Sequence, residues 1–352
     1  MESTWYETER NHPELIPSGD IGGTNANFAV VGYRDGNFDV IAEYQSPSKS
    51  VTSGAEIVRT IFEDFESTSG RKPTRICISA AGAVRNNRCK PTNLDWEIDG
   101  DAVSSLLRIP TLVINDFQGL CFALPLLDVN DPKQIIPVLR PGGNPGNTGS
   151  SWAVAGAGTG LGVGYLIRVG DSYLSIPSGG GHTLFAAFDE ETRALLSYVT
   201  RRLGGPPRNE DVLSGRGMAA IFNFFRDEIG ITQSTELKEI DSVPDTDKPP
   251  LITRYIGVSE ECTNMMRLFV RIYARFASSV ALYFLPWSGI YIAGGIVARL
   301  SSLFLDEDLF IRHFDRHENA DMLEKLQSIP VYLINDYSIS LLGAANAALY
   351  LM

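Results

Sequence analysis

Two glycine-rich turns and one Asn-Asp pair are the residues of this sequence best suited to chemistry. The pair, Asn115-Asp116, lies between the two turns. The first turn reads Gly19-Asp20-Ile21-Gly22-Gly23-Thr24-Asn25, and the second, over residues 156–162, reads Gly-Ala-Gly-Thr-Gly-Leu-Gly. Turns of this kind point several backbone N–H groups at one place, which makes a cradle for phosphate oxygens. Two cradles and one carboxylate predict phosphoryl transfer from a nucleotide held between two lobes.

Other signatures of nucleotide and hydrolase chemistry are missing from the sequence. It has no Gly-Lys-Ser/Thr string, so a Walker-type phosphate loop is excluded. Leu161 breaks the dinucleotide Gly-x-Gly-x-x-Gly spacing in the second turn. Neither a Gly-x-Ser-x-Gly elbow nor a His-Glu-x-x-His helix occurs. The sequence therefore lacks the motifs that would indicate a serine hydrolase, a zinc protease or a classical dehydrogenase.

Composition narrows the class of protein. A chain of 352 residues predicts two domains, and 44% hydrophobic with 20% charged residues is typical of a soluble globular protein. The net charge of −12 argues against a nucleic-acid or anionic-membrane partner. The N-terminus has no apolar signal core, and the apolar stretch 268–287 is interrupted by arginines, so we expect a cytoplasmic protein. Four cysteines without a Cys-x-x-Cys pair indicate reduced thiols, and His313 with His317 is expected to be a solvated helix face.

Hydrophobic periodicity predicts alternating strands and helices. A β-meander is expected over residues 16–46, and surface loops over 144–151 and 243–250. Further strands are expected over 74–80, 111–114, 289–293 and 330–334, and helices over 54–69, 99–108, 189–203, 215–228 and 258–285.

The chain repeats itself. Besides the two glycine turns, the string Val-Ile-Asn-Asp-Phe at 113–117 is similar to Leu-Ile-Asn-Asp-Tyr at 333–337. Each copy follows an apolar strand and precedes a helix-like run. Two matched pairs in the same order predict a duplicated α/β unit whose halves enclose a cleft.

Six segments in this order resemble the bacterial-type glucokinases, a family of the actin and hexokinase superfamily. They are residues 19–27, 114–117, 156–162, 177–182, 210–217 and 293–297. The resemblance implies a two-lobed, duplicated actin-like ATPase (ribonuclease H-like) α/β fold with ATP and sugar in the interlobe cleft. It implies an N-terminal extension over 1–17, a small domain over 18–117 plus 338–352, a large domain over 118–337, and a homodimer.

By this resemblance the two turns hold the phosphates of ATP, and residues 293–296 form the adenosine turn. Asp20 would position Mg²⁺ through water; the alternative is that it caps its own hairpin. The implied nucleotide-binding residues are Gly19, Asp20, Ile21, Gly22, Gly23, Thr24, Asn25, Gly158, Thr159, Gly160, Gly294 and Gly295.

The resemblance also assigns the sugar side. Asp116 would be the general base that takes the proton of the attacking hydroxyl, with Asn115 orienting the sugar. The alternative for both is that they end a strand and cap a helix, the role expected for Asn335-Asp336. The implied sugar-binding residues are Thr92, Asn93, Asn115, Asp116, His182 and Glu210.

One position departs from the family. Where the family has Glu-Gly-Gly-His, this chain has Gly179-Gly180-Gly181-His182. By the resemblance, that Glu hydrogen-bonds the sugar. Loss of such a charge-assisted hydrogen bond costs about 1.5–3 kcal/mol, or roughly 10- to 150-fold in binding. The expected function is ATP- and Mg²⁺-dependent phosphorylation of glucose to glucose 6-phosphate. The alternatives are a kinase for another sugar or amino sugar, a sugar sensor with weakened catalysis, and, least favoured, an actin-like filament protein.

Overall fold

A computed structural model describes residues 1–6, 11–92, 94–146, 149–230, 234–336 and 338–352. The chain divides into two units. The first unit comprises Met1–Leu127, Arg168–Ile176 and Ser338–Met352, and the second comprises Asp128–Ile167 and Pro177–Tyr337. None of the described helices is long and apolar enough to span a membrane.

A mixed six-stranded sheet forms the centre of the first unit, as far as its residues are described. Its strands are β1 (Glu2–Trp5), β2 (Glu14–Ile21), β3 (Asn25–Arg34), β4 (Asn37–Pro47), β5 (Ile76–Ala80) and β9 (Thr111–Asn115). They lie in the order β1-β4-β3-β2-β5-β9. The strands β2, β3 and β4 are an antiparallel meander, as predicted, while β5 and β9 run parallel to β2. A three-stranded sheet joins β6 (Val84–Arg85), β7 (Arg88–Cys89) and β8 (Ile98–Asp99).

Helices α1 (Gly54–Ser69), α2 (Gly100–Leu107), α3 (Asp116–Ala123) and, from the end of the chain, α12 (Ile339–Leu351) complete this unit. The predicted helix over 54–69 is confirmed with the same bounds. Ser53 caps its first turn, Gly70 ends it in the left-handed conformation, and its apolar stripe is buried against the sheet. Helix α12 is tied to α3 by Asn346, whose Nδ2 donates to the carbonyl oxygen of Phe122 at 2.8 Å.

The second unit repeats this plan. In its sheet, β11 (Ser151–Ala157) is antiparallel to β12 (Leu161–Val169), which is followed by β13 (Ser172–Ser178). The strands β14 (Ile290–Ala293) and β15 (Val331–Ile334) run parallel to β11 and to each other. An added strand, β10 (Ile135–Pro137), lies on the outer side of β15. The tip of the β12–β13 hairpin is grouped with the first unit.

The described part of the second unit has more helices than that of the first. They are α4 (Glu190–Leu203), α5 (Gly215–Phe224), α6 (Thr235–Asp241), α7 (Lys248–Arg254), α8 (Glu260–Phe284), α9 (Gly295–Leu305), α10 (Leu309–Phe314) and α11 (Ala320–Gln327). A π-helical turn, Phe225–Ile229, extends α5. The buried Tyr273 anchors α8 on the sheet, because its hydroxyl donates to the carbonyl oxygen of Ala155 at 2.9 Å.

The predicted duplication is visible in the strand orders. The runs β4-β3-β2-β5-β9 and β13-β12-β11-β14-β15 have the same pattern of meander and parallel strands. Asn115 ends β9, the last strand of the first run, and Asn335 follows β15, the last strand of the second. The two Asn-Asp strings therefore occupy equivalent places in the two units.

Two segments differ from their expectation. Residues 2–5, within the N-terminal extension, pair with β4 as an edge strand, and Trp5 stacks on Phe65 of α1 with ring centroids 5.6 Å apart. The loop expected over 243–250 gives way to α7, which begins at Lys248 with two prolines in its first turn. Proline is tolerated there because the first N–H groups of a helix have no intrahelical acceptor.

Candidate active site

Asp20 lies at the carboxyl end of β2, where two serine hydroxyls reach its carboxylate. Ser340 Oγ donates to Asp20 Oδ2 at 2.6 Å, and Ser79 Oγ, from the neighbouring strand β5, lies 3.5 Å from Oδ1. Burial raises the pKa of Asp20, and the two hydroxyls act in the opposite direction without cancelling that effect. Asp20 therefore contacts two other elements, and its role is not limited to capping its own hairpin.

Asp116 is the first residue of α3, and Asn115 is the N-cap of that helix. The backbone N–H of Phe117 lies 3.0 Å from both Asn115 Oδ1 and Asp116 Oδ1. Asn115 Nδ2 donates to the carbonyl oxygen of Gly82 at 2.9 Å. Asn115 therefore fills the capping role, with its Oδ1 and one N–H of its amide bonded to the main chain. Burial first, and the nearby negative charge of Asp20 second, raise the pKa of Asp116 to about 6.

Ser48 stabilises the first glycine turn by hydrogen bonds to its main chain. The N–H of Gly22 donates to the carbonyl oxygen of Asn25 at 3.0 Å and closes the turn. Ser48 donates its N–H to the carbonyl oxygen of Thr24 at 2.8 Å and its hydroxyl to that of Gly22 at 2.7 Å. These bonds occupy carbonyl oxygens, which leaves the exposed tip of the turn to present N–H groups.

Thr92 lies beside this first turn. Its backbone N–H donates to the carbonyl oxygen of Ala81 at 2.8 Å, and its own carbonyl oxygen lies 3.4 Å from where a Cβ on Gly23 would stand. Asn93, predicted with it, lies outside the described residues. The first unit therefore brings together the turn, Asp20, Asp116 and Thr92.

The second glycine turn has a similar closure. The N–H of Gly158 donates to the carbonyl oxygen of Gly160 at 2.9 Å, and Thr159 is exposed between them. The carbonyl oxygen of Gly158 accepts from the N–H of Gly215, the first residue of α5, at 2.9 Å. Ser214, the N-cap of α5, donates its hydroxyl to the carbonyl oxygen of Glu210 at 2.6 Å. Residues 156–162 and 210–217 are therefore one connected piece of structure.

Gly294 joins the predicted adenosine turn to the same piece. Its φ is +103°, and a Cβ there would stand 2.1 Å from the carbonyl oxygen of Ala157, at the end of β11. Only glycine combines this conformation with so close an approach of two backbones. Gly295, the next residue, begins α9 and has open space where a Cβ would be.

His182 and Glu210 come together in the second unit. His182 Nδ1 lies 3.3 Å from Glu210 Oε1, and the guanidinium groups of Arg208 and Arg216 each lie 3.2 Å from the same oxygen. The carboxylate of Glu210 is buried, whereas His182 is exposed. The two guanidinium groups supply positive charge that offsets the desolvation of the buried carboxylate and, with His182, fix its position.

Gly179 lies three residues before His182 on the chain, and its backbone does not require glycine. Its φ is −96°, and a Cβ would meet no atom within 4 Å. The N–H of His182 donates to its carbonyl oxygen at 2.9 Å. The missing side chain at residue 179 is therefore a difference of chemistry, since the fold itself leaves room for one.

A metal ion has one predicted ligand, Asp20. No cluster of three or more His, Cys, Asp or Glu side chains suited to a metal occurs in the described part of the chain, which includes His313 and His317. Mg²⁺ commonly uses one or two carboxylates with waters and substrate phosphates, so such a cluster is not needed. Two carboxylates close enough to raise the pKa of one of them fit a cation at this place.

Several supporting residues carry no signal in the sequence. Ser340 bonds Asp20 across 320 positions of the chain, and Ser79 and Ser48 are ordinary serines in their strings. Arg216 lies within the segment 210–217 and Arg208 lies two residues before it, and their spacing of two before and six after Glu210 is a usable hint of an ion-pair cluster.

Proteins of similar sequence include several glucokinases. A family model described as Glucokinase matches residues 18–350. The glucokinase of Tolumonas auensis is 31% identical over 336 residues, which are 94% of this chain and 96% of that protein. A crystal structure of glucokinase from an Antarctic psychrotroph has a TM-score of 0.79 at 28% identity, covering 95% of this chain and 98% of that one.

A more distant structure shares the fold. The glucokinase of Streptomyces griseus, of the ROK family and crystallised with glucose and AMPPNP, has a TM-score of 0.61 at 19% identity over 95% of this chain and 99% of that one. The expected actin-like ATPase fold is thus confirmed, and so is the resemblance to the glucokinases. With the family match spanning nearly the whole chain and a relative above 30% identity, this chain belongs to the glucokinase family of sugar kinases.

Proposed function

We propose that this chain transfers the terminal phosphoryl group of ATP to the 6-hydroxyl of glucose, with Asp116 as the general base. The observation that carries the proposal is the environment of Asp116, a carboxyl group at the start of α3 whose pKa is raised to about 6. A base is most effective when its pKa lies near the working pH, because it is then both ionised and basic enough to take a proton. At pH 7 to 8 the carboxylate of Asp116 is in the accepting form.

In this reaction the first unit would position the reacting groups and stabilise their charge. Asp116 Oδ1 accepts from the N–H of Phe117, which orients the carboxylate that would take the sugar proton. The first glycine turn supplies N–H groups for phosphate oxygens. Asp20 would hold Mg²⁺, which when bound neutralises the charge of the transferring phosphates. Ser340 and Ser79 fix the carboxylate of Asp20 for this purpose.

Sugar recognition in the second unit is assigned to Glu210 and His182. Glu210 is held by Arg208, Arg216 and His182, so its second oxygen, Oε2, can accept from a sugar hydroxyl without a change of rotamer. That oxygen lies 3.3 Å from where a Cβ on Gly160 would stand, so the carboxylate of Glu210 adjoins the second glycine turn. This proximity supports a sugar site next to the phosphates that the second turn would hold.

The test is ADP release from Mg²⁺-ATP with and without millimolar glucose. The variant is Asp116→Asn, and the matched control is Asp336→Asn, which changes the equivalent Asn-Asp string of the second unit. We expect glucose-dependent ADP formation that falls about 10²- to 10⁴-fold in Asp116→Asn and is retained in Asp336→Asn. Equal loss in both variants, or none in either, would contradict the role of Asp116.

A second candidate is favoured by Gly179. Because the fold leaves open space at this residue, no steric demand accounts for the missing glutamate. The acceptor would then be another sugar or an amino sugar, whose substituent takes the place of the glutamate side chain. Rates on a panel of hexoses and amino sugars at equal concentration decide between the two, since glucose as the poorest acceptor would favour this candidate.

Calorimetry and the ADP assay together distinguish the proposed kinase from a sugar sensor with weakened catalysis. Calorimetry that detects glucose binding while no ADP forms would support a sensor and contradict the kinase. ADP formation at a rate of 1 s⁻¹ or more, roughly the lower end for enzymes of this kind, would exclude it.

A further inference from the structure

A cavity of about 440 Å³ lies in the second unit, between helix α8 and the segment that follows His182. This volume is within the range of roughly 300–1,000 Å³ that is usual for small-molecule sites. Most of its wall is apolar and aromatic, formed by Tyr165, Phe185, Phe188, Phe276, Val280 and Tyr283. The side chain of Tyr283 is 78% exposed, so the aromatic wall continues to the surface.

The wall includes one cationic side chain, Arg275. Its Nη1 donates to the main-chain carbonyl oxygens of His313, at 3.4 Å, and of Arg316. Within the ranges that the structure describes, no carboxylate forms an ion pair with Arg275. Burial, and secondly the positive charge of Arg316, lower its pKa, so its charge is poorly compensated by its surroundings.

More positive charge lies behind this wall. The ring of His313 has its centroid 6.3 Å from that of Phe188. Burial, and then the charges of Arg271, Arg316 and Arg312, lower the pKa of His313 to about 4. Arg271 is neutralised by Asp189 and Glu191, but over the described ranges of the chain Arg312 and Arg316 have no carboxylate partner.

We propose that this cavity binds a small organic anion with an apolar body, the anionic group beside Arg275 and the body among the aromatic side chains. An uncompensated guanidinium attracts a carboxylate, sulfonate or phosphate, and aromatic walls bind a flat apolar group. In a chain of net charge −12, this local excess of positive charge at a cavity favours an anionic ligand.

The cavity adjoins the chain neighbours of His182 and Glu210, the pair that is proposed to bind the sugar. Thr183 and Asn209 are part of its wall, and Asn209 Nδ2 donates to Thr183 Oγ1 at 3.0 Å and to its carbonyl oxygen at 3.1 Å. Each is the chain neighbour of a residue of the His182–Glu210 pair. The proposal concerns binding in this cavity, so it does not depend on the proposed kinase reaction.

The test uses 1-naphthalenesulfonate as the anionic probe and 1-naphthalenemethanol as its neutral counterpart, both titrated into the full chain by calorimetry. We expect saturable binding of one sulfonate per chain, at least about 10-fold weaker binding of the alcohol, and a similar loss for the sulfonate in Arg275→Gln. Arg85→Gln, which removes an exposed arginine of the first unit, is the control and should bind like the parent protein.

A second variant guards against misfolding of Arg275→Gln, since Arg275 also bonds the main chain. Ser279 is an exposed residue of the cavity wall, and Ser279→Trp fills the space without removing a charge. We expect it to abolish sulfonate binding while the thermal unfolding midpoint stays unchanged. Equal binding of sulfonate and alcohol, or sulfonate binding that survives in Ser279→Trp, would overturn the proposal, as would the absence of saturable binding.

Discussion

The carboxylate of Asp20 acts on Asp116 through space, as the second cause, after burial, of the raised pKa of Asp116. The two side chains leave the ends of β2 and β9, which are separated in the sheet by β5 alone. Because neither carboxylate has a cationic partner among the described residues, the metal-free protein keeps unfavourable charge at this place. This charge has a measurable consequence for stability.

We predict that Asp116→Asn stabilises the metal-free protein at neutral pH. The folded state keeps the Asp116 proton up to about pH 6, while the unfolded chain releases it near pH 4. The free energy of unfolding therefore falls as the pH rises through this window, and it stays lower above it. The variant removes that loss, so it should gain roughly 3 kcal/mol at pH 7 and little at pH 4. Urea unfolding in the presence of EDTA at both pH values measures the difference.

Asp336→Asn is the control for this prediction, because Asp336 is not among the causes of the Asp116 shift. It should give the same small change at both pH values. A gain in Asp116→Asn that is as large at pH 4 as at pH 7 would mean that the effect does not come from ionisation.

Gly179→Glu should improve glucose binding without a cost in folding. A Cβ at this position meets no atom within 4 Å and the φ of −96° suits any residue. If glucose is a substrate, a restored charge-assisted hydrogen bond should lower its KM by about 10- to 150-fold. Gly179→Gln, of the same shape but uncharged, is the matched variant and should recover less. An unchanged KM in a well-folded Gly179→Glu would show that residue 179 does not set sugar affinity.

Gly294 and Gly295 should respond oppositely to alanine, although they are neighbours in one turn. In Gly294→Ala the new Cβ would overlap the carbonyl oxygen of Ala157 and φ would remain at +103°, at a cost of about 2–4 kcal/mol. In Gly295→Ala the Cβ enters open space at the start of α9, and alanine favours the helix by about 1 kcal/mol. Thermal unfolding of both variants checks this, and equal losses would contradict the close contact at Gly294.

Much of the fold was predictable because its signals are local. The helix α1 has its apolar stripe, its Ser53 cap and its Gly70 stop within one stretch of sequence, and its bounds were predicted correctly. The duplication was predictable from two short strings, since Asn115 and Asn335 keep the same place relative to equivalent strands.

The rest depends on contacts between distant residues, which no local pattern encodes. Ser340 reaches Asp20 from the last helix of the chain. The buried Lys248 at the start of α7 bonds Asp245 Oδ1 at 2.7 Å and Asn223 Oδ1 at 3.0 Å, contacts that a string with two prolines does not predict. Nor could the sequence tell whether glycine at residue 179 was demanded by its backbone, which is a question of φ and of neighbouring atoms.

The arrangement around Glu210 leads to a prediction that separates sugar binding from nucleotide binding. Glu210→Gln keeps the shape of a side chain that Arg208, Arg216 and His182 surround, but it removes the charge that a sugar hydroxyl would donate to. We expect the KM for the sugar to rise about 10- to 150-fold while the KM for ATP changes less than about threefold. Steady-state kinetics with each substrate varied in turn measure both constants. Glu228→Gln, which alters an exposed carboxylate paired with Arg201, is the control. A rise of both constants together would mean that Glu210 acts by holding the second glycine turn, to which it is joined through Ser214 and Gly215.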